Sequence, residues 1–595
     1  MCRIAGIISK NENYPNLHDN VKAMCNIMAH GGPDDEGITT AEQNGFVFGH
    51  RRLALIDLSE AGHQPMHYKD ISIVFNGEIY NYLELKGELQ NSGFDFTNAT
   101  DTEVILAGYT AWGVSVFEKL EGMFAFALYD KKQDSTYLVR DQSGIKPLYY
   151  SINSGMLIFA SEVKAFKTTS YSFEESKDWK TYFLTFGHIP HPFTTLENVY
   201  SLTNSCFLKW DHQTASHEIV AFSQTDYTTK VNDEHSAEEL VKHRLEKAVE
   251  NHLIADAPVG VFLSGGIDSS ILTLLADKAI ASNLKTLSIN FAEQAFSEEK
   301  YQKIIADQTQ GTHTSYLVTQ QDLEKNLDEI LSAMDQPSND AINSWFVNKC
   351  AKENGLKAVL SGIGADELFG GYPSFKRMKL VKALKRLPKF VLRLADKLPS
   401  EKLKRIYFLS YDNPVGEYLF LRGFFTPTAV SQLLSIPKHQ VDQLLENFPL
   451  DQEIKKLAGG ERASWMETNL FMKNQLLKDT DYMSMAHSIE VRVPFLDQEL
   501  IKAIHQISSD IKFGDQPKGL LVNSFKDILP ESIWNRPKMG FTFPLQGWLR
   551  ENKKITDPGL YKENSLANKL MEKFKAGNLH WSKAYALYQV FNPSS

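Results

Sequence analysis

The sequence predicts two domains of different classes, an α+β domain built on antiparallel sheets and an α/β domain built on a parallel sheet with additional helices. The chain has 595 residues, which is more than one hydrophobic core normally supports. Short apolar runs bounded by Asn, Asp and Gly fill about the first 200 residues, a pattern typical of antiparallel strands. From Ala237 onward, strand-like and helix-like runs alternate, and this alternation predicts βαβ units.

The composition limits the class of protein. Hydrophobic residues make up 43% of the chain and charged residues 23%, as in ordinary globular proteins. The net charge of −10 argues against a nucleic-acid partner. The four cysteines show no CxxC spacing, so neither a disulfide framework nor a zinc site is expected. Because there is no signal peptide and no apolar run of roughly 18 residues, we expect a cytoplasmic protein without a membrane span.

The first domain is expected at residues 1–210 and the second at 236–595, with a polar stretch at 211–235 as a linker or an edge hairpin. In the first domain "TEVILAGYTAWG" predicts a helix, and five runs predict strands: "NGFVFGHRRLALID", "ISIVFNGEIYN", "MFAFALYDKK", "STYLVRD" and "MLIFASE". In the second domain the predicted helices are "EELVKHRLEKAVENHL" and "SSILTLLADKAIA", and the predicted strands are "APVGVFL", "LKTLSINF" and "LKAVLSG". Residues after about 375 are expected to be mostly helical.

Residues 376–405 form a basic run, "KRMKLVKALKRLPKFVLRLADKLPSEKLKR". Solvated faces of helices packed on the second domain would explain the run, because charged side chains commonly cover the outer face of a helix. The functional alternative is a contact with a polyanion, a membrane surface or a carrier. The sequence leaves both interpretations open.

The most informative segment is "PVGVFLSGGIDSS", where an apolar strand runs into Ser264-Gly265-Gly266 and a helix then begins around Asp268 and Ser269. Glycines allow backbone N–H groups to converge on an anion, and a helix N-terminus adds partial positive charge. The segment lacks the GxxxxGK[ST] pattern of kinase-type phosphate loops. Because an acid in a phosphate loop would repel its ligand, Asp268 predicts a bridging Mg²⁺.

A second strand end, in "KAVLSGIGADELFGGY", places another acid at a helix start, Asp366. SGGxDS after a buried strand resembles the pyrophosphate loop (PP-loop) of the ATP pyrophosphatases, which cleave ATP to AMP and PPi to adenylate an acceptor. The resemblance implies an adenine-nucleotide-hydrolase-like sheet, ATP as a substrate, and Mg²⁺ shared by Asp268 and Asp366. The implied ATP-binding residues are Phe262, Ser264, Gly265, Gly266, Asp268, Ser269, Ile289, Ser361 and Gly362.

In the first domain Cys2 directly follows the initiator Met. Removal of Met1 would place a free α-amine and a thiol on one residue, which supplies a nucleophile and its base together. An α-amine with a pKa of about 8 is suited to accept the thiol proton near neutral pH. Taken alone, a cysteine at position 2 is usually incidental.

Eight motifs give Cys2 its context, in order between residues 1 and 165: "MCRIAGI", "HGGPDDEG", "HRRLALIDLSEAGHQPM", "VFNGEIYNYLEL", "TDTEVIL", "LEGMFAFALYD", "RDQSGIKPLYY" and "FASEVKA". Together they resemble the class II glutamine amidotransferase domain, which implies an N-terminal-nucleophile (Ntn) αββα sandwich and Cys2 as the nucleophile. The resemblance assigns Asn76 and Gly77 to the oxyanion hole. The implied glutamine-binding residues are Arg52 for the α-carboxylate, Asp101 and Glu78 for the α-amine, and Leu53, Asn76 and Gly77.

A glutaminase followed by an adenylating pyrophosphatase resembles the glutamine-hydrolysing asparagine synthetase family, and "KDTDYMSMAHSIEVRVPFLD" and "RPKMGFTFPLQGWL" continue the resemblance. It implies AMP-forming synthesis of asparagine from aspartate, glutamine and ATP, with an apolar passage for ammonia. Homodimerisation is a further family expectation. Lys518, in "QPKGLLVNSF", aligns with the family's catalytic lysine, and a plain surface lysine is the alternative.

Three departures from the family pattern stand out, one near the glutaminase site and two that bear on the acceptor. The family usually reads HRGPD where this chain has Gly31 in place of the arginine, so a different loop closure near the site is expected. Asparagine synthetases typically read SGEG, whereas Ile363 stands in place of the glutamate and neither binds an ammonium nor relays a proton. The stretch 334–346, "MDQPSNDAINSWF", also lacks an arginine that would suit an amino-acid carboxylate.

Ile363 therefore leaves two interpretations of the identity of the acceptor. It is aspartate recognised by other residues, or a different acid such as a sugar uronate in polysaccharide synthesis. A catalytically silent scaffold is a third alternative, which the intact Cys2, Arg52, Asp101 and Asp268 disfavour.

Overall fold

The computed structural model describes residues 2–9, 16–39 and 45–592, and it has two domains. The strands and α-helices of the first domain are β1 (Arg3–Ser9), α1 (Leu17–Ile27), β2 (Asp35–Ile38), β3 (Phe46–Arg52), β4 (Met66–Tyr68), β5 (Ile71–Ile79), α2 (Tyr82–Asn91), α3 (Asp101–Trp112), α4 (Val116–Lys119), β6 (Gly122–Asp130), β7 (Ser135–Arg140), β8 (Tyr149–Asn153), β9 (Met156–Ala160), α5 (Trp179–Phe186), β10 (Tyr200–Ser201), β11 (Cys206–Asp211) and β12 (Ser216–Ala221). The five predicted strands and the predicted helix all appear.

Within the described residues, the first domain contains two six-stranded antiparallel sheets, with strand orders β10-β8-β9-β1-β3-β2 and β12-β11-β7-β6-β5-β4. Side chains alternate along β1, because successive residues of a strand point to opposite faces. Ile4 and Ile8 pack with Val74 of the other sheet, whereas Ile7 packs with Val21 of α1. Helix α3 covers the outer face of the second sheet. The layers therefore form the αββα sandwich that the sequence predicts.

The polar stretch at 211–235 begins inside this sandwich. Strand β11 pairs with β12 over the register Cys206↔Ala221 to Asp211↔Ser216, so residues 206–221 form a hairpin. Of the two interpretations of this stretch, residues 211–221 adopt the edge hairpin. All residues of β12 are exposed, and an edge strand of this kind tolerates the polar composition that resembles a linker.

The second domain contains α6 (Glu234–His252), β13 (Val259–Phe262), α7 (Ile267–Ile280), β14 (Lys285–Phe291), α8 (Glu299–Ala306), β15 (Thr312–Val318), α9 (Gln320–Ala333), α10 (Ile342–Glu353), β16 (Ala358–Leu360), α11 (Ala365–Leu368), α12 (Pro373–Leu384), α13 (Lys389–Leu394), α14 (Glu401–Lys404), α15 (Val415–Arg422), α16 (Pro427–Leu434), α17 (Lys438–Glu446), α18 (Gly459–Met466), α19 (Leu477–Met485), β17 (Glu490–Arg492), α20 (Gln498–Gln506), α21 (Ser509–Lys512), α22 (Gly519–Ser524), α23 (Glu531–Trp534), α24 (Leu545–Glu551), α25 (Pro558–Tyr561), α26 (Ser565–Lys575) and α27 (Trp581–Phe591). A π-helix, Glu467–Leu476, joins α18 to α19. Among the described helices, none has both the length and the apolar character needed to cross a bilayer.

The strands of the second domain form one parallel sheet in the order β15-β14-β13-β16-β17. From β13, the chain adds β14 and β15 on one side and then returns to add β16 on the other. Ligands of open α/β sheets bind where the strand order reverses in this way, at the carboxyl ends of the strands. The loops that follow β13 and β16 are therefore placed side by side at the expected nucleotide site.

Buried polar contacts join the two domains. Arg3 Nη2 lies 2.8 Å from Asp481 Oδ2, and both side chains are almost fully buried. The hydroxyls of Tyr149 and Tyr482 are 2.7 Å apart, and Gln336 Nε2 donates to both of them. Because an unpaired polar group is costly to bury, these contacts favour one relative placement of the domains.

Candidate active site

Cys2 lies immediately before β1, in the middle of the first sheet. Its backbone N–H donates to Asn76 Oδ1 at 3.0 Å, and its Sγ is 3.9 Å from the carbonyl oxygen of Leu53. The residue is only 8% exposed, and burial raises the pKa of its thiol. A thiol in this state requires a neighbouring base before it can act as a nucleophile. Met1 lies outside the described residues.

Asn76 and Gly77 are consecutive residues of β5, next to Cys2. Asn76 is fully buried, and its Nδ2 has no hydrogen-bond partner within the described residues. Because Oδ1 is held by the Cys2 amide, the free Nδ2 donor is fixed beside the nucleophile. A Cβ at Gly77 would lie 2.1 Å from Met123 O, so only glycine fits there. A buried uncommitted donor beside a nucleophile is what an oxyanion hole requires.

Arg52 and Asp101 flank the same region. Arg52 ends β3, and its guanidinium donates to the carbonyl oxygens of Ser59, at 2.7 Å, and Asp57. Asp101 begins α3, where its Oδ2 accepts the Ile79 N–H at 3.0 Å. Burial raises the pKa of Asp101 to about 6. The structure thus brings the predicted carboxylate-binding and amine-binding groups to one end of the first domain.

Glu78 has a neighbour that the sequence does not indicate. Its Oε2 lies 3.5 Å from Arg492 Nη2, in the second domain, and burial raises its pKa well above the ordinary value. Arg492 also pairs with Glu490 at 2.6 Å, and its backbone oxygen accepts the Ser361 N–H at 2.8 Å. Arg492 therefore contacts both candidate sites. The sequence indicates nothing about this role, because β17 is only three residues long.

Gly31 replaces the family arginine, and the side chain of Arg3 occupies the space beside it. A Cβ at position 31 would lie 2.8 Å from Arg3 Cγ. Arg3 Nε donates to Glu162 Oε1 at 2.6 Å, and His30 Nε2 lies 3.0 Å from the same oxygen. A buried guanidinium is thus present beside this loop even though residue 31 has no side chain.

Hydrogen bonds between two serine side chains hold the predicted nucleotide loop after β13 together. Ser264 Oγ and Ser269 Oγ are 3.0 Å apart, and the Ser264 N–H also donates to Ser269 Oγ. Gly265 has φ +82°, a backbone conformation that favours glycine. Gly266 is the N-cap of α7, and Asp268 lies in its first turn. The loop therefore presents a helix N-terminus at the carboxyl edge of the sheet, as the sequence predicts.

The loop after β16 packs directly against this helix start. A Cβ at Gly362 would lie 2.9 Å from Asp268 Cβ, so glycine permits the close approach. Asp366 lies in the first turn of α11, after Gly364 with φ +103°. Ile363 is half-buried and packs against the main hydrophobic core. The two predicted walls of the nucleotide site are thus adjacent.

Lys518 bridges the two acids of these walls. Its Nζ lies 2.6 Å from Asp268 Oδ2 and 2.5 Å from Asp366 Oδ1, and the residue is 4% exposed. Burial alone would lower the pKa of Lys518, but the two carboxylates raise it above its ordinary value. The plain surface lysine interpretation is therefore wrong. Lys538 Nζ also lies 2.6 Å from Asp366 Oδ1.

Asp268 and Asp366 are suited to share a cation, because both carboxylates contact the same ammonium group. Within the described residues, no cluster of three or more His, Cys, Asp or Glu side chains could hold a metal ion. Mg²⁺ commonly takes only one or two protein carboxylates and completes its shell with phosphates and water. The donor set therefore fits a magnesium ion that binds together with ATP.

Sequence reasoning missed two further cations at the nucleotide loop. Arg536 Nη2 donates to Gly265 O at 2.8 Å and to Glu298 Oε1 at 2.7 Å. Together with Lys538, Arg536 comes from "RPKMGFTFPLQGWL", a stretch noted only for its resemblance. The sequence signal for these cations was the pair Arg536 and Lys538, which flank a proline shortly before Gly540.

The stretch 334–346 contains carboxyl groups rather than an arginine. Ser338 Oγ donates to Asp479 Oδ2 at 2.7 Å, and Asn343 Nδ2 donates to Phe541 O at 3.2 Å. Burial raises the pKa of Asp340 to about 6 and raises that of Asp479 well above its ordinary value. This stretch presents no cation to an acceptor carboxylate.

A separate cleft of about 830 Å³ lies between the domains. Tyr150, Tyr200, Trp465 and Lys473 are among the residues that line it. None of the predicted site residues lines this cleft, so its size carries no argument about the chemistry.

Comparisons with known proteins define the class of this chain. The asparagine synthase family matches residues 240–578, and the glutamine amidotransferase domain family matches residues 1–221. "Asparagine synthetase [glutamine-hydrolyzing] 1" of Bacillus subtilis is 32% identical over 564 residues, covering 92% of this chain and 88% of that protein. The chain is therefore a glutamine-hydrolysing carbon–nitrogen ligase. It belongs to the glutamine-hydrolysing asparagine synthetase family.

Two other relatives are more distant. "Amidase chry2" of Gibberella zeae is 26% identical over 618 residues, covering 92% of this chain and 90% of that protein. The solved glutamine phosphoribosylpyrophosphate amidotransferase of Bacillus subtilis is 17% identical, with a TM-score of 0.29. The structural match covers 47% of this chain and 64% of the amidotransferase chain. A similarity this weak supports no conclusion about function.

Proposed function

We propose that this protein makes asparagine from aspartate, glutamine and ATP, with release of glutamate, AMP and PPi. The observation that carries the proposal is the pair of adjacent loops after β13 and β16, whose acids Asp268 and Asp366 meet at Lys518. Adenylation places negative charge on a pyrophosphate leaving group, and such charge is stabilised by fixed cations and helix N-termini.

In the glutaminase half, Cys2 would act once Met1 is removed. Its α-amine accepts the thiol proton, and the thiolate attacks the side-chain amide carbon of glutamine. The Asn76 Nδ2 and the Gly77 N–H donate to the oxyanion that forms. The amine proton then passes to the departing nitrogen, ammonia leaves, and water hydrolyses the thioester to glutamate.

In the synthetase half, the acceptor carboxylate attacks the α-phosphorus of ATP, and PPi leaves. Lys518 lies where it can donate to the phosphate oxygens or to the later tetrahedral intermediate. Mg²⁺, held by Asp268 and Asp366, would neutralise charge on the pyrophosphate. Ammonia then attacks the acyl carbon, and AMP leaves more readily than oxide would.

Ammonia must reach the second site without contacting water. Near pH 7 free ammonia is almost entirely ammonium, which is not a nucleophile. Release into an apolar passage inside the protein would keep the molecule unprotonated until it reacts.

A second acceptor class is favoured by two features, Ile363 and the stretch 334–346. The stretch 334–346 offers Asp340 and Ser338 rather than an arginine. One relative that covers most of this chain carries the name amidase rather than asparagine synthetase. The same amide-forming chemistry on another carboxylate, such as a sugar uronate, is therefore the alternative proposal.

A PPi-release assay distinguishes the two acceptors. Purified protein is incubated with ATP, Mg²⁺ and glutamine, with and without aspartate, and products are identified by mass spectrometry. We expect aspartate-dependent PPi and asparagine in equal amounts. Intact glutaminase activity without aspartate-dependent PPi would overturn aspartate as the acceptor and leave the alternative.

A further inference from the structure

The basic segment found in the sequence has an unusual surface. Here "the basic surface" means residues 376–405, which include α12, α13 and α14. Among the described residues, fourteen large hydrophobic side chains are exposed, and six of these lie on the basic surface. They are Leu380, Leu387, Phe390, Leu394, Leu398 and Leu403, and Phe390, at 69%, is the most exposed of the fourteen. Exposed apolar groups concentrated in this way mark an interaction site.

The basic surface also concentrates positive charge. It contains twelve Lys and Arg residues and two acids, a net charge of +10, in a chain whose net charge is −10. The rest of the chain therefore carries −20. Within the described residues, eight of the twelve cations form no ion pair: the half-buried Arg405 and seven exposed residues, Lys376, Arg377, Lys379, Lys382, Arg386, Lys397 and Lys402. Their charge is available to an external partner.

Packing against the second domain does not account for the outward apolar groups. Met378, Val381, Leu392 and Ala395 are buried and supply the inner contacts of these helices. Helix α13 packs on the neighbouring turns at 405–410. Phe390 and Leu394 are one helical turn apart and lie on the exposed side of α13. The solvated-helix interpretation explains the lysines but leaves these side chains without a partner.

The combination of groups selects one class of partner. Aliphatic and aromatic side chains interleaved with unpaired cations are the pattern of helices that lie in a membrane interface. A nucleic acid would use the cations but gives Leu387 or Phe390 no apolar environment. A symmetric contact with a second copy would bring two surfaces of net charge +10 together. Anionic phospholipid satisfies both the charge and the apolar groups.

We propose that the basic surface binds the protein peripherally to anionic phospholipid membranes. Helix α12 begins directly after Tyr372, which follows the loop that carries Asp366. Lys538, at the same loop, donates to Gly371 O at 3.2 Å. Membrane binding would therefore hold the synthetase site close to the lipid surface. The proposal is independent of which acid the enzyme amidates.

Vesicle flotation with the full chain tests the proposal. Vesicles of phosphatidylcholine with about 30% phosphatidylglycerol are compared with pure phosphatidylcholine vesicles. We expect the protein to float only with the anionic vesicles and to be released by about 0.5 M salt, because salt screens the lipid charge.

Two variants separate the apolar and charged contributions. Phe390→Ser with Leu394→Ser and, separately, Lys382→Glu with Arg386→Glu should each lower the partition coefficient at least tenfold. Leu83→Ser, at a residue 58% exposed on the first domain, is the matched control and should bind like the parent. Far-UV circular dichroism and glutaminase activity should be unchanged in all variants, since every altered side chain is exposed.

Three results would overturn membrane binding. One is the absence of flotation with anionic vesicles. Another is unchanged flotation of the Phe390→Ser, Leu394→Ser variant together with capture by duplex DNA, which would indicate a polyanion contact. The last is a concentration-dependent dimer in light scattering that this variant abolishes, which would assign the surface to a second copy.

Discussion

The two candidate sites are organised by different physical means. In the glutaminase site, groups such as Asn76 and Asp101 are held on sheet and helix ends by burial and backbone hydrogen bonds. In the synthetase site, Lys518, Asp268 and Asp366 hold one another by charge. The first arrangement is sensitive to protonation, because burial raises the pKa of Asp101 to about 6. The second depends on each partner, because a buried charge without its partner is costly.

The largest expected effect comes from removing the nucleophile, which should stop one activity and leave the other intact. Cys2→Ala should abolish glutamine-dependent synthesis, a loss of at least about 10³-fold, because Cys2 is the residue held at Asn76 and supplies the attacking thiolate. Ammonia-dependent synthesis should remain near the parent rate, since the synthetase site is untouched. Both rates are measured by PPi release. Cys206→Ala, at a thiol equally 8% exposed, is the control and should retain both activities.

Because the synthetase site depends on its ion pairs, removing the charge of Lys518 should produce the second-largest effect. Lys518→Met should lower PPi release by about 10²–10³-fold, the loss typical when a charge-stabilising donor is removed. Glutaminase activity should be retained. Lys512→Met, which removes another buried lysine paired with an acid, Glu461, controls for lost stability. An equal loss of PPi release in both variants would mean that Lys518 acts only on folding.

The arginine beside Gly31 offers a test of packing. Gly31→Arg should destabilise the protein, because even a Cβ would lie 2.8 Å from Arg3 Cγ. Combining it with Arg3→Ser should recover stability, with a coupling of about 1–3 kcal/mol in a double-mutant cycle. Thermal unfolding and glutaminase kcat are the measurements. Purely additive effects would show that the two positions do not share one space.

The smallest effect concerns pH. Asp101 has a pKa of about 6, raised by burial, so its carboxylate is lost as the pH falls through 6. KM for glutamine should therefore rise about tenfold between pH 7 and pH 5, and Asp101→Asn should remove this dependence. Burial alone would raise the pKa of Asp366, but Lys518 and Lys538 hold it below its ordinary value. Burial raises the pKa of Asp268 at the same site, so KM for ATP is expected to respond to pH through Asp268 rather than through Asp366.

Much of both sites could be predicted from the sequence because their signals are local. Gly265 and Asp268 lie within one strand–turn–helix segment, and Asn76 and Gly77 are adjacent on one strand. Parallel pairing then places the ends of two predicted strands together, which is why Asp366 could be assigned to the same site. The two six-stranded sheets follow from the short alternating runs.

Contacts between distant segments could not be predicted. The pairing of Glu78 with Arg492 joins positions more than 400 residues apart, through a three-residue strand with no pattern of its own. Likewise, nothing in the sequence shows that Arg3 fills the space beside Gly31, because that contact depends on how a loop packs on β1. The edge strand β12 was difficult for another reason, since exposure removes the apolar alternation that identifies strands.

The two contacts of Arg492 link the geometry of the two candidate sites. Its side chain lies 3.5 Å from Glu78, two residues from Asn76, and its carbonyl oxygen is bonded to the Ser361 N–H. One residue thus contacts the candidate glutaminase site through its side chain and the candidate synthetase site through its backbone. Any displacement of β17 along its axis changes both contacts in the same movement. Under the proposed function, a shift of this short strand would therefore alter the geometry of both candidate sites together.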